Sequence, residues 1–215
     1  KRIRAVAYRL LVEIGYFKQY SKPLLEMLDS AKEDERYAAC WALQIKVFPS
    51  GTPSTYLQEK FSNQLVKHIL DRSETEMCRC MAIKALVGLD PEKNIFPKVL
   101  LECVNGDQPI GVRRTAIGFI SEYQLPVAPE SILNELVTSP DDDYLQFVAK
   151  TLGKILGTGA AIELLVTEII GSASPQPKYI QALRSINYVR GASQLARYCS
   201  SGDSPPGTGK RSRSN

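Results

Sequence analysis

The sequence predicts an all-α protein built from about six helical hairpins in tandem, spanning residues 1–200. Three observations predict this fold. A short phrase centred on an alanine recurs along the chain at a nearly constant interval. A second segment with an apolar stripe at helical spacing follows each copy. No alternating run of apolar and polar residues indicates a strand. Such a repeat is typical of stacked helix pairs, in which each unit buries its apolar face against its neighbours.

The repeated phrase has an arginine three residues before an alanine, followed by apolar residues at helical spacing. The fifth and sixth copies keep the alanine but lack the arginine. Successive alanines lie 32, 43, 34, 33 and 33 residues apart, at positions Ala7, Ala39, Ala82, Ala116, Ala149 and Ala182. A small residue at a fixed place lets neighbouring helices approach closely, and the apolar residues that follow it form the buried stripe. The phrase therefore predicts the first helix of each hairpin.

The second helix of each hairpin is predicted from its own apolar stripe. The six segments are roughly Lys22–Ala31, Leu57–Leu70, Asn94–Asn105, Pro129–Thr138, Ala160–Ile170 and Ser193–Cys199. The 43-residue interval contains residues 48–54, whose prolines and glycine cannot continue a helix, so these residues are predicted to form an insertion loop. Gly157 and Gly191 are expected at or near helix ends, because glycine adopts the left-handed conformation without steric cost.

The phrase from Arg79 to Leu89, Arg-x-x-Ala-x-x-Ala-Leu with a further apolar residue three positions on, resembles the first helix of a HEAT repeat. The resemblance is to the short HEAT-like repeats, covers about residues 1–200, and has armadillo repeats as a near neighbour. It implies a right-handed α-solenoid of parallel helix pairs whose second helices line a concave face. The phrases typical of tetratricopeptide and ankyrin repeats, which have similar periods, are missing from the sequence.

Composition bounds the class of protein. At 215 residues and 44% hydrophobic, the chain is long enough to bury a substantial core. Charges interrupt every apolar run before the roughly 18 residues needed to cross a bilayer, so no membrane insertion is expected. Five cysteines without a regular spacing favour a reducing compartment, which predicts an intracellular protein, cytoplasmic or nuclear. Because the chain starts without methionine or a secretory leader, we expect it to be a terminal region of a longer protein.

Residue types that carry catalysis or bind metals are sparse. His68 is the only histidine, which excludes a two-histidine site, and its position at the polar edge of a second helix predicts an exposed side chain. Cys78 and Cys80 fall on different faces of a helix, which favours packing over zinc binding. The three aspartates at 141–143 precede a predicted helix and are expected to cap it. We therefore predict no catalytic residue, no metal and no cofactor, and we expect the chain not to be an enzyme.

Polar stripes on the predicted second helices form the candidate partner-binding surface, which the HEAT-like resemblance places on the concave face. Its residues are Lys22, Glu26, Lys60, Gln64, Lys67, Lys98 and Glu102. They mix both charges, whereas a groove for nucleic acid presents a run of cations that follows the phosphates. The mixture favours a protein partner.

The arginines of the repeated phrase form a second set of conspicuous charges. Arg4, Arg36, Arg79 and Arg113 occupy the same place in successive copies. Because their phase is fixed, we expect them to bridge adjacent repeats or to cover apolar surface with their long stems, in preference to binding phosphate.

The leading interpretation is a non-catalytic scaffold that binds a partner protein along its concave face. The alternative is a nucleic-acid-binding HEAT-like solenoid, which the net charge of +4 and a predicted disordered basic tail at 201–215 permit. A third class is suggested by the alkylpurine DNA glycosylases, which are HEAT-like; resemblance to them would imply aromatic residues and an aspartate around a damaged nucleotide. The single tryptophan, Trp41, lies inside a repeat phrase next to predicted core positions, which argues against that class.

Overall fold

The computed structural model describes residues 2–14, 16–44, 55–90, 95–104, 107–172 and 176–201, so the predicted loop at 48–54 and residues 202–215 of the predicted tail lie outside it. The described residues form helices and no strand, which confirms the all-α prediction for this part of the chain. Along them run eleven helices: α1 (Arg2–Glu13), α2 (Phe17–Leu28), α3 (Glu33–Ala42), α4 (Thr55–Leu70), α5 (Glu76–Leu89), α6 (Phe96–Cys103), α7 (Ile110–Glu122), α8 (Pro129–Val137), α9 (Asp142–Leu156), α10 (Thr158–Gly171) and α11 (Pro177–Ser201).

The helices alternate as the repeats predict. The repeated phrases fall on α1, α3, α5, α7, α9 and the first part of α11. The predicted second helices coincide with α4, α6, α8 and α10 to within two residues at either end. The agreement is poorer in α2, which begins at Phe17, five residues before the predicted start.

The chain divides into two compact units, Lys1–Ala116 and Ile117–Asn215. In the first unit, α1, α3 and α5 pack in succession, and so do α2, α4 and α6. The two rows also pack against each other, because α2 contacts α1 and α3 while α5 contacts α4 and α6. First helices therefore lie beside first helices and second helices beside second helices within this unit.

The repeated alanine is buried in five of its six copies. Ala39, Ala82, Ala116, Ala149 and Ala182 are all 0% exposed. Larger apolar residues of the same helices, among them Leu86, Ile120 and Leu152, are buried within 1% exposure. Ala7 is the exception, because it is exposed on α1, so the expectation of close helix contact is wrong for the first copy.

The repeated arginines link one hairpin to the next. Arg36 donates to Glu74, which lies five residues before the next arginine of the series, Arg79. Arg79 in turn donates from Nη2 to Gln108 Oε1 over 2.6 Å, and Gln108 lies five residues before Arg113. The bridging role expected of the arginines is thus confirmed for Arg36 and Arg79. Both contacts fall where a second helix passes into the following first helix.

Helix ends follow the expected capping chemistry. The Asp141 carboxylate accepts a hydrogen bond from the backbone N–H of Tyr144 over 2.7 Å, and Asp142 and Asp143 stand in the first turn of α9. This confirms the predicted capping role for Asp141, while Asp142 and Asp143 place negative charge at the N-terminal end of the helix. Gly157 separates α9 from α10 with φ of +82°, a conformation that glycine adopts without strain.

In the second unit, α9 packs against α8, α10 and α11, and α10 packs against α11. The helix α11 contains a break at Asn187, whose backbone is non-helical. The Asn187 side chain accepts from Arg190 N–H over 3.1 Å and so caps the segment 188–201. The expected start of the last second helix at residue 193, after Gly191, is therefore wrong. Gly191 instead lies buried inside the segment, where an added Cβ would lie 2.6 Å from Leu183 Cγ.

Candidate functional site

The predicted partner-binding residues all lie on the three second helices of the first unit. Lys22 and Glu26 are on α2, Lys60, Gln64 and Lys67 are on α4, and Lys98 and Glu102 are on α6. Six are exposed and Gln64 is half-buried. Since α2, α4 and α6 pack side by side, we call these seven residues the second-helix face.

Contacts within the second-helix face are few. Lys22 Nζ lies 4.0 Å from Glu26 Oε1, and both side chains are well exposed. Gln64 Nε2 donates to Asp29 Oδ1 at the end of α2, which connects α2 with α4 directly. Lys60, Lys67, Lys98 and Glu102 make no hydrogen bond or ion pair with any other described residue. Most of the face therefore keeps its polar groups available.

A polar cleft of about 290 Å³ opens beside the second-helix face. Its walls come from the end of α2, the start of α3, the last turns of α4 and the connection to α5. The lining residues are Leu28, Asp29, Ser30, Arg36, Gln64, Lys67, His68, Asp71, Ser73 and Glu74. Only Gln64 and Lys67 of these belong to the predicted partner-binding set, while Lys22, Glu26, Lys60, Lys98 and Glu102 lie outside the cleft.

The floor of the cleft is an ion pair between Arg36 and Glu74. Arg36 Nε and Nη2 donate to the two Glu74 oxygens over 2.6 and 2.9 Å, and Arg36 Nη1 donates to the Ser30 carbonyl over 2.8 Å. The Glu74 side chain is 3% exposed and that of Arg36 is 18% exposed. The hydrogen bonds from Arg36 lower the pKa of Glu74, although burial opposes the shift, and the carboxylate raises the pKa of Arg36. Glu74 is therefore held as a carboxylate.

His68 forms the second part of the floor, and its expected exposure is wrong. The residue is 8% exposed, with Nδ1 lying 3.3 Å from Glu74 Oε2 and Nε2 lying 3.4 Å from Gln64 Nε2. A neutral ring satisfies both contacts, since Nδ1–H donates to Glu74 while Nε2 accepts from the Gln64 amide. The burial of His68 depends on Glu74, which lies in the connection between α4 and α5. The pattern of α4 alone does not carry that information.

The rim of the cleft carries two carboxylates and one ammonium group. Asp71 Oδ1 accepts from Ser73 N–H and Oγ–H over 2.9 and 2.7 Å, and these bonds lower the pKa of Asp71. Asp29 Oδ1 accepts from Gln64. Within the described part of the chain neither aspartate pairs with a cation, and Lys67 pairs with no anion. The opening of the cleft thus has a net negative charge.

Cys78 packs in the core, as the sequence predicts, and Cys80 is half-buried. Cys40, Cys78 and Cys103 are 0% exposed, and the four cysteines with described side chains are all free thiols. A hydrogen bond with Cys78 and burial raise the pKa of Cys40, and burial raises that of Cys103 to about 11. With raised pKa values, Cys40 and Cys103 are neutral thiols near pH 7, and a neutral thiol is a weak nucleophile and metal ligand.

The described residues contain no group of three or more histidine, cysteine, aspartate or glutamate side chains placed to hold a metal ion. None of their helices combines the length and the apolar character needed to cross a membrane.

Arg36 and Glu74 at the cleft floor were not among the predicted partner-binding residues. The sequence does hold a signal for them, because an acid or amide stands five residues before both Arg79 and Arg113. These positions, Glu74 and Gln108, are the acceptors of the arginine one repeat earlier.

In comparisons with known proteins, no family model, no curated protein and no solved structure matches this chain.

Proposed function

We propose that this chain is a non-catalytic, HEAT-like scaffold, an α-solenoid of helical hairpins that binds an intracellular partner protein on the concave side formed by its second helices. The observation that carries the proposal is the second-helix face. Three neighbouring helices present side chains of both charges, and most of these have no partner among the described residues. Mixed polar surface around a few anchoring contacts is typical of protein interfaces.

The recurring arginine contacts support the solenoid part of the proposal. Arg36 and Arg79 each reach the same relative place in the following repeat, five residues before its arginine. A contact that recurs from one repeat to the next is expected where identical units stack with a constant offset. In such an array each hairpin buries its apolar stripe against both neighbours and leaves one row of helices open for binding.

Affinity capture from cell extract with two matched variants tests the binding face. The first variant changes Lys22, Lys60 and Lys98, one lysine on each second helix, to glutamate. The control changes Lys84, Lys150 and Lys154, three exposed lysines of first helices, to glutamate and so has the same net charge. We expect the first variant to weaken partner binding about tenfold, because its glutamates would place like charge against the partner groups that face these lysines. We expect the control to leave partner binding unchanged.

Two results would contradict the proposal. Equal loss in both variants would assign the effect to net charge and not to the second-helix face. Saturable binding of generic duplex DNA at near-physiological salt, weakening steeply as salt rises, would support a nucleic-acid-binding solenoid in its place.

A further inference from the structure

We infer that the cleft between α2 and α4 binds the guanidinium group of an arginine side chain supplied by the partner protein. The inference rests on the proposed function and gives the second-helix face its anchoring contact. Ligand pockets for small molecules run from about 300 to 1,000 Å³. The volume of about 290 Å³ therefore suits a single side chain.

The charge of the lining selects a cation. Arg36 and Glu74 neutralise each other through two short hydrogen bonds at the floor. What remains is Asp29 and Asp71 against Lys67, which leaves one uncompensated negative charge at the opening. Asp71 is ionised at neutral pH, and the hydrogen bonds from Ser73 lower its pKa further. A cationic group entering the cleft removes this imbalance.

The hydrogen-bonding capacity of the rim favours a guanidinium over an ammonium. Asp29 uses Oδ1 for Gln64, and Asp71 uses Oδ1 for Ser73, so each carboxylate retains Oδ2. A guanidinium has five N–H donors in one plane and can bind two carboxylates at once, whereas an ammonium has three donors around a point charge. Two carboxylates that follow the ends of different helices fit the planar group better.

The floor of the cleft is already ordered before a ligand enters. His68 is buried between Glu74 and Gln64, and Arg36 is fixed by Glu74 and the Ser30 carbonyl. A binding site whose groups are held in place loses less conformational entropy on binding. Gln64 connects this floor to the rim, since the same amide nitrogen contacts both His68 and Asp29.

The test is titration of the full chain, labelled with ¹⁵N, with Nα-acetyl-arginine amide while amide chemical shifts are recorded. We expect saturable shifts at residues 29, 64 and 71–73. Nα-acetyl-citrulline amide, which has the same shape without the charge, should give no saturable shift. The substitutions D29N and D71N should each weaken binding about tenfold, because they remove a charge-assisted acceptor while keeping the shape. Glu163→Gln, at an exposed position on α10 outside both the cleft and the second-helix face, should leave the affinity unchanged.

A substitution at Lys67 distinguishes a site that binds cations from a site that binds anions. In a cation site Lys67→Met removes a like charge and should strengthen arginine-amide binding about threefold. Citrulline amide that binds as tightly as arginine amide would overturn the inference. The inference would also be overturned if inorganic phosphate shifted the same amides with higher affinity than arginine amide and bound more weakly to K67M. Unfolded D29N or D71N would show as a collapsed spectrum, and the K67M result decides the question independently.

Failure of this inference and failure of the scaffold proposal are distinguishable. Titration with arginine amide needs no partner protein, so missing shifts overturn the cleft site whatever the capture experiment shows. Conversely, if both triple-lysine variants captured the partner equally well, the scaffold proposal would fail. A saturable arginine-amide signal that D71N weakens would still support the cleft site.

Discussion

Replacing Glu74 with glutamine is expected to lower the free energy of unfolding by about 2–4 kcal/mol. The substitution keeps the shape of the side chain but removes the charge that Arg36 faces at 2.6 and 2.9 Å. Removing one partner of a fully buried ion pair costs about 3–5 kcal/mol, because the other charge remains without compensation. Here the Arg36 side chain keeps 18% exposure and its hydrogen bond to Ser30, so water and the carbonyl recover part of that cost.

Urea unfolding followed by the fluorescence of Trp41 measures this effect. Trp41 is the only tryptophan of the chain and lies on α3, the helix that carries Arg36, so it reports on the first unit. The matched control is Asp107→Asn, which discharges the exposed pair of Arg72 and Asp107 at 2.5 Å, with 70% and 47% of the side chains exposed. Exposed pairs contribute about 0.2–1 kcal/mol, so the control should change little. Equal destabilisation in the two variants would refute the reasoning from burial.

Three further predictions concern pH and single positions. The paired guanidinium lowers the pKa of Glu74 below its ordinary value of 4.5, so its stabilisation is present above that pH and is lost as the pH falls through the folded-state pKa. The stability difference between wild type and E74Q in urea should shrink below about pH 4.5, and a constant difference would contradict this. Gly191→Ala places Cβ 2.6 Å from Leu183 Cγ and should cost about 1–3 kcal/mol in thermal unfolding, while Gly171→Ala meets no atom within 4 Å and should be neutral. Asp141→Ala should cost about 0.5–2 kcal/mol through loss of the α9 cap, and Asp141→Asn, which still caps, should retain wild-type stability.

The sequence predicts the helices well because their signals are local. Alanine and apolar residues recur with helical spacing, and the buried positions Ala82, Ala116 and Ala149 follow from that phase alone. The break in α11 was misplaced because Gly191 is a stronger local signal for a helix end than Asn187. Asn187 breaks the helix by capping the next segment, and Gly191 is small because Leu183 packs against it.

The cleft is harder to predict because its parts come from different hairpins. His68 stands among polar neighbours on α4, and that pattern predicts exposure. Its burial requires Glu74 to fold back from the following connection and the end of α2 to lie alongside. Periodicity within one helix does not report such contacts. Comparison of equivalent positions between repeats does, because Glu74 and Gln108 share one place relative to their arginines.

Two kinds of connection join the helices of this chain, and the arginine contacts lie at only one of them. Connections from a second helix to the next first helix, where Glu74 and Gln108 lie, are all four to six residues long. Connections from a first helix to its own second helix range from one to twelve residues. Length thus varies little among the connections that include the Arg36 and Arg79 contacts, and it varies widely at the opposite end of the hairpins. We therefore expect new segments, such as an added recognition loop or a protease site, to be tolerated in the second kind of connection and to disrupt folding in the first.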